Sequence, residues 1–129
     1  MNSRKEQLLS IRPIINYKVE AISEIEKFQN TTLRPILKFQ NELLIAIFKA
    51  YIKRYKNAFY ELPIEGKMNY IDNAVQKDAK FRNSLKGLVT GMFTLDEYQY
   101  YSENSSEISK RMMQMISERL KDQLQLFEN

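Results

Sequence analysis

Residues 31–60 read TTLRPILKFQ NELLIAIFKA YIKRYKNAFY, and the fold turns on how this stretch is read. It holds no glycine and one proline, Pro35, which suits the first turn of a helix, where no amide donor is needed. Thr31 or Thr32 just before it fits the capping position. Ile36, Leu43, Leu44, Ile47, Phe48, Tyr51, Tyr55 and Ala58 then recur at three- and four-residue spacing over a broad face. This predicts a long central helix over about 33–60, ended before Pro63, around which other elements pack.

The flanking sequence predicts more helices and no sheet. Upstream, Ala21, Ile22, Ile25 and Phe28 give a narrow stripe for a helix over 17–30. Residues 1–16 are expected to form at most a frayed turn, because Pro13 disfavours helix at Arg12. Downstream, Met68, Ile71, Ala74 and Val75 mark a helix from about residue 63. Phe81, Leu85, Leu88 and Val89 mark another over about 79–92. Thr94 and Glu97 have capping-box spacing and open a further helix. Ile108, Met112, Ile116, Leu120, Leu124 and Phe127 trace the last one, over about 106–127. Two junctions stay open: whether the helices either side of Asp78 are continuous, and whether residues 102–105 break or bend one long helix. The expected architecture is all-α: four to six helices in one domain spanning residues 1–129, a length that buries enough surface for a core without staples.

Composition narrows the chemistry. Apolar residues make up 43% and charged residues 28%, a globular balance. There is no histidine and no cysteine. The commonest general base, the commonest transition-metal ligand and every thiolate are therefore missing together. No metal or other cofactor is expected, and no catalytic residue is marked by spacing. The polar start of the chain has no apolar signal core, and the longest apolar run, 43–48, is far too short to span a membrane. A cytoplasmic location without a membrane partner is the expectation.

Three groups of residues are candidates for function. On one continuous helix, Arg34, Lys38, Lys49, Lys53 and Lys56 would share a sector of about 100° with Glu42 and Ile45, a face that tracks phosphates or is simply solvated. Gly87 and Gly91, four apart, permit close approach of another helix, within the fold or across a dimer seam; Gly91 equally suits a helix end. Met113 and Met115 widen the apolar stripe of the last helix and fit either core or a second contact surface. Arg54 and Asp78 are charged residues at core-phase positions. Either they approach each other in a partly buried polar cluster, or Asp78 caps a helix starting at Ala79 while Arg54 reaches outward. Tyr98, Tyr100 and Tyr101 cluster as a core edge or the lining of an aromatic pocket.

The stretches NTTLRPILKFQN (30–41), KFRN (80–83) and KRMM (110–113) resemble a family of small helical bacterial proteins of nearly this length, some carrying the label glyoxalase. The resemblance implies kinship over most of the chain and transfers no site residue. Its label does not fit these residues: vicinal-oxygen-chelate glyoxalases use paired βαβββ modules and His or Glu ligands, and this chain has no histidine and no strand pattern.

The functional expectation is a non-enzymatic protein-interaction or scaffold module that self-associates, with a homo-oligomer and an unidentified protein as partners. The alternatives are a nucleic-acid binder using the basic stripe and an enzyme or small-molecule binder with a tyrosine-lined pocket.

Overall fold

A computed structural model describes residues 3–15 and 23–128; the beginning of the helix expected over 17–30 lies outside the described residues. Among the described residues 82% are helical and none is in a strand. The helices are α1 (Arg4–Ile11), α2 (Glu24–Phe28), α3 (Arg34–Phe39), α4 (Asn41–Arg54), α5 (Ile64–Lys77), α6 (Ala79–Thr90), α7 (Leu95–Glu103) and α8 (Ser105–Lys121). A wide turn, Gln29–Leu33, joins α2 to α3.

The long helix expected over 33–60 is divided, and its start is displaced. Helix begins at Glu24 and passes through Pro35 instead of starting there. Proline inside a helix removes one amide donor and presses its ring on the carbonyl four residues back. The chain answers by widening: in the Gln29–Leu33 turn, bonds run between residues five apart, and Arg34 N–H donates to the Gln29 carbonyl. Thr31 and Thr32 therefore do not cap. Thr31 Oγ1 bonds back to the Lys27 carbonyl at 2.8 Å, and Thr32 turns to Glu97. A second break falls at Gln40, whose ψ of 3° leaves the helical range and re-phases α4 against α3. The end also comes early. Ile52, Lys53, Lys56 and Asn57 form a Schellman closure, with Asn57 N–H donating to the Ile52 carbonyl and Lys56 N–H to that of Lys53. Lys56 sits at φ 64°, where glycine is usual.

α8 packs against α5, α6, α7 and the wide turn. It buries Ile108, Met112, Met113, Ile116 and Leu120. Opposite it, α4 buries Leu44, Ile45, Phe48, Tyr51 and Ile52. These span about 120° centred on Phe48, in a helix turning 100° per residue. Phe48 is the aromatic hub, its ring centroid within 6.5 Å of those of Tyr51, Phe59, Tyr70, Phe81 and Phe127. Phe127 reaches it from beyond α8, which stops at Lys121 instead of near residue 127.

Both open junctions are breaks. Asp78 separates α5 from α6, its carboxylate accepting from Phe81 N–H at 3.2 Å. Asn104, at φ −135°, separates α7 from α8. The capping box at Thr94 and Glu97 is present in both directions. Residues 4–11, expected to be a frayed turn, are helical, with Ser3 as cap.

Three residues assigned to an interface take other places. Met113 is fully buried, because α8 is covered on more sides than one neighbour would require. Gly87 is exposed, and an added Cβ would meet nothing within 4 Å, so no described helix of this chain approaches it. Gly91 closes α6 in a right-handed conformation, φ −60°, without the left-handed turn that would call for glycine. A Cβ on it would lie 3.0 Å from the Gly87 carbonyl.

Two substitutions follow from this geometry. Lys56→Gly relieves a left-handed side-chain residue and is expected to raise stability by about 1 kcal/mol. Gly87→Ala, in a helix with open space, is expected to gain up to about 1 kcal/mol, a rise of roughly 4 °C in melting temperature. Thermal and urea unfolding of each variant check both; Gly91→Ala, which meets a backbone oxygen, is expected to gain less.

Candidate functional site

An open groove of about 710 Å³ lies between α8 and the segment running from the wide turn into α3. Its floor is apolar, made by the fully buried Leu37 and the half-buried Met115. Its walls are charged: Arg34, Lys110, Arg111 and Arg119 against Glu107, Glu118 and Asp122. The wide turn matters here. Residues five apart on an α-helix diverge by about 140°, whereas a turn closed between residues five apart brings Gln29 and Arg34 onto the same groove.

The cations in this groove are not equally neutralised. Arg111 Nε lies 3.1 Å from Glu107, and its Nη1 donates to Gln29 Oε1 at 2.8 Å. Arg34 meets only an amide, donating from Nε to Asn30 Oδ1 at 3.1 Å. Arg119 reaches Asn41 Oδ1 at 3.5 Å. That amide is held by Gln123: Asn41 Nδ2 donates to Gln123 Oε1 at 2.8 Å and Gln123 Nε2 returns to Asn41 Oδ1 at 2.9 Å. Burial first, and then the positive charge of Arg34, loosen the Arg119 guanidinium's hold on its proton; Asp122 pulls the other way.

The basic stripe is only partly assembled. Arg34 and Lys38 are exposed on α3, and Lys49 and Lys53 on α4, but the break at Gln40 divides the two pairs. Lys56 has left the helix. Ile45, expected among these cations, is buried, while Leu43, expected in the core, is 48% exposed. The core phase expected for Arg54 holds only on one continuous helix with Ile36 and Leu43, but Ile36 lies across the break and Leu43 in solvent. Arg54 lies about 120° from Phe48 and is exposed. Arg54 and Asp78 form no ion pair. Asp78 instead accepts from Tyr51 Oη at 2.8 Å while it caps α6. The Tyr51 hydroxyl holds the Asp78 carboxyl below its ordinary range; burial and then Asp78 push the Tyr51 hydroxyl up.

The tyrosine cluster lines no part of the groove. Tyr100 packs on Phe28, centroids 5.1 Å apart, and Tyr101 on Phe93 at 5.7 Å, with its hydroxyl 3.1 Å from Ser109 Oγ. Tyr98 is exposed. Without a strand, the described residues contain no βαβββ module of the glyoxalase kind, and no three His, Cys, Asp or Glu side chains among them converge on a metal position. No helix among them is long and apolar enough to cross a membrane.

Sequence reading missed a buried polar knot centred on Arg12 and Glu97, whose side chains are only 8% and 17% exposed. Arg12 Nη1 donates to Glu97 Oε2 at 2.6 Å and Nη2 to Oε1 at 2.8 Å, a bidentate fork; Nη2 also meets the Met92 carbonyl at 3.0 Å. Thr32 Oγ1 adds a bond to Glu97 Oε2 at 2.9 Å, and Thr94 N–H one to Oε1 at 2.9 Å. The capping box was the visible half of this knot. Nothing in the spacing linked it to a residue 85 positions away.

Burial raises the Glu97 carboxyl, but the Arg12 hydrogen bonds and charge, the Thr94 amide and the Thr32 hydroxyl together carry it below the ordinary glutamate value. A depressed folded value stabilises the protein above the unfolded pKa, about 4.3, and that contribution is lost as pH falls through the folded value. Glu97→Gln strands a buried guanidinium and is expected to cost about 3 kcal/mol near neutral pH. Urea unfolding across a pH series should show the gap between the two proteins closing below pH about 4; a gap that stays constant into strong acid would contradict the assignment.

No protein-family model, curated protein or solved structure matches this chain.

Proposed function

We propose that this protein is a cytoplasmic, non-enzymatic helical module that self-associates through the outward face of α3 and α4. One observation carries the reading. Leu43, Ala46 and Ala50 recur at three- and four-residue spacing on the side of α4 away from Phe48, all of them exposed, and Phe39 is exposed at the end of α3. Phe39 and Leu43 leave 44% and 48% of their surface in solvent. A helix with apolar residues on two opposed faces has one face more than its own core uses.

Charge favours a second copy as the occupant. Glu42 and Lys49 flank this stripe on the same side, and neither has an ion pair within the chain among the described residues. In an antiparallel pair of α4 helices with its twofold axis near Ala46, Glu42 of each copy meets Lys49 of the other, and Leu43 meets Ala50. In a parallel pair the two-fold axis would put this flank of the two copies on opposite sides of the seam, and Glu42 would not meet Lys49. A two-fold interface is self-complementary in this way. The stripe is short, so the association is expected to be weak, in the micromolar range.

Sedimentation equilibrium tests the proposal. Wild-type protein is expected to shift from monomer to dimer with concentration. Leu43→Glu, at an exposed position, is expected to weaken the dimer at least about tenfold without loss of helicity. Glu42→Lys should also weaken it, and the Glu42→Lys/Lys49→Glu pair should restore it. A concentration-independent monomer at several hundred micromolar would refute self-association, as would an unchanged dimer in Leu43→Glu; DNA or RNA binding lost in step with salt would favour the basic stripe instead.

A further inference from the structure

Arg34 and Arg119 face the same groove from opposite walls, and neither has a carboxylate within ion-pair distance among the described residues. The five other charged residues of the groove do not alter this. Glu107 is engaged by Arg111. Lys110 and Glu118 are exposed at the rim, and Asp122, also exposed, lies near enough to act on Arg119 without pairing with it. Two guanidinium groups close enough to repel, one of them half-buried, form an arrangement that an oxyanion would relieve.

We propose that the groove between α3 and α8 is a binding site for a small organic phosphate monoester, with Arg34 and Arg119 holding the phosphate and Met115 receiving the apolar body. A phosphate dianion matches two guanidinium forks, each presenting parallel N–H donors. Arg119 is positioned for this role by Asn41, whose amide is fixed by the reciprocal bonds to Gln123. Arg34 is likewise oriented through its Nε by Asn30, leaving its terminal nitrogens without a partner among the described residues. The apolar floor distinguishes the site from a bare cationic patch. An inorganic ion would use the two arginines alone, whereas an organic ester also covers the half-buried Met115. A groove of about 710 Å³ is of the size that takes a small organic ligand. This site is separate from the α4 stripe, so its occupancy and self-association can succeed or fail independently.

Phenyl phosphate, inorganic phosphate and benzoate serve as probes, with binding read by calorimetry and by NMR of the arginine Nε–H groups in the full chain. Saturable binding of phenyl phosphate is expected, tighter than that of inorganic phosphate and of benzoate. Arg34→Gln and Arg119→Gln are each expected to weaken it about tenfold or more. Lys49→Gln, on α4 away from the groove, should leave it unchanged. Arg34 is exposed, so its variant remains informative if loss of Arg119 disturbs folding. Equal binding of inorganic and phenyl phosphate would overturn the assignment of the floor to an organic body. Absence of saturable phenyl phosphate binding up to about 10 mM, or an equal loss in Lys49→Gln, would overturn the site itself.

Discussion

Pro35 is the constraint from which the arrangement follows. A proline eleven residues beyond the start of a continuous helical path cannot donate to the ladder and crowds the carbonyl four residues back. The chain could end the helix there, or widen the turn before it. It widens, and the Gln29–Leu33 turn sets three directions at once. Leu33, Ile36 and Leu37 enter the core, fully buried. Thr32 points to Glu97. Gln29 and Arg34 fall on one groove. In a regular helix these last two would diverge, and the groove would lose one of its arginines.

The Arg12–Glu97 knot depends on that turn through Thr32 and in return holds the N-terminal segment. α1 buries no residue, so packing alone does not attach it. Its tie is polar: Arg4 donates to the carbonyls of Phe93 and Gly91 at 2.6 and 3.2 Å, and Arg12 to that of Met92 at 3.0 Å. These carbonyls lie at and just beyond the end of α6, a helix with no basic residue in its own last turn. The first segment thus supplies the cations that a helix C-terminus favours. Burying such an ion pair gives little net stability compared with an apolar contact, but breaking it is costly, so it fixes position more than it adds strength.

The sequence was legible wherever a local rule acts alone. The cap at Asp78, the capping box at Thr94 and the stripe of α8 each follow from residues within a turn or two. It misled where one assumption was carried across a break. Treating 33–60 as one straight helix put Arg54 in the core, Ile45 among the cations and Lys56 on a ridge it does not reach. The first turn is the commonest helical place for a proline such as Pro35; the cost of the other choice is offset here by tertiary contacts that no spacing records. Gly87 shows another limit. A physical cost suggests a compensating contact, and the described residues of this chain supply none. The groove was invisible for a further reason: Arg34 and Arg119 meet across 85 residues of chain, and each taken alone looks like a solvated cation.

The α4 helix shows why a small core leaves a working surface. Phe48 gathers aromatic rings from α5, α6, the turn after α4 and the C-terminal segment, so the inner face of α4 is fully used by its own fold. Its outer face has only Glu42, Lys49, Lys53 and Arg54 to keep it in water, and between them Leu43, Ala46 and Ala50 remain exposed. Small residues such as alanine hold little apolar area but let another helix come close. Leu43, beside them, supplies a side chain to fill that approach. Strong self-association would call for larger residues along the whole stripe, and a strictly monomeric surface would call for charge at Leu43. The stripe has neither, which is the composition that the proposed weak self-association calls for.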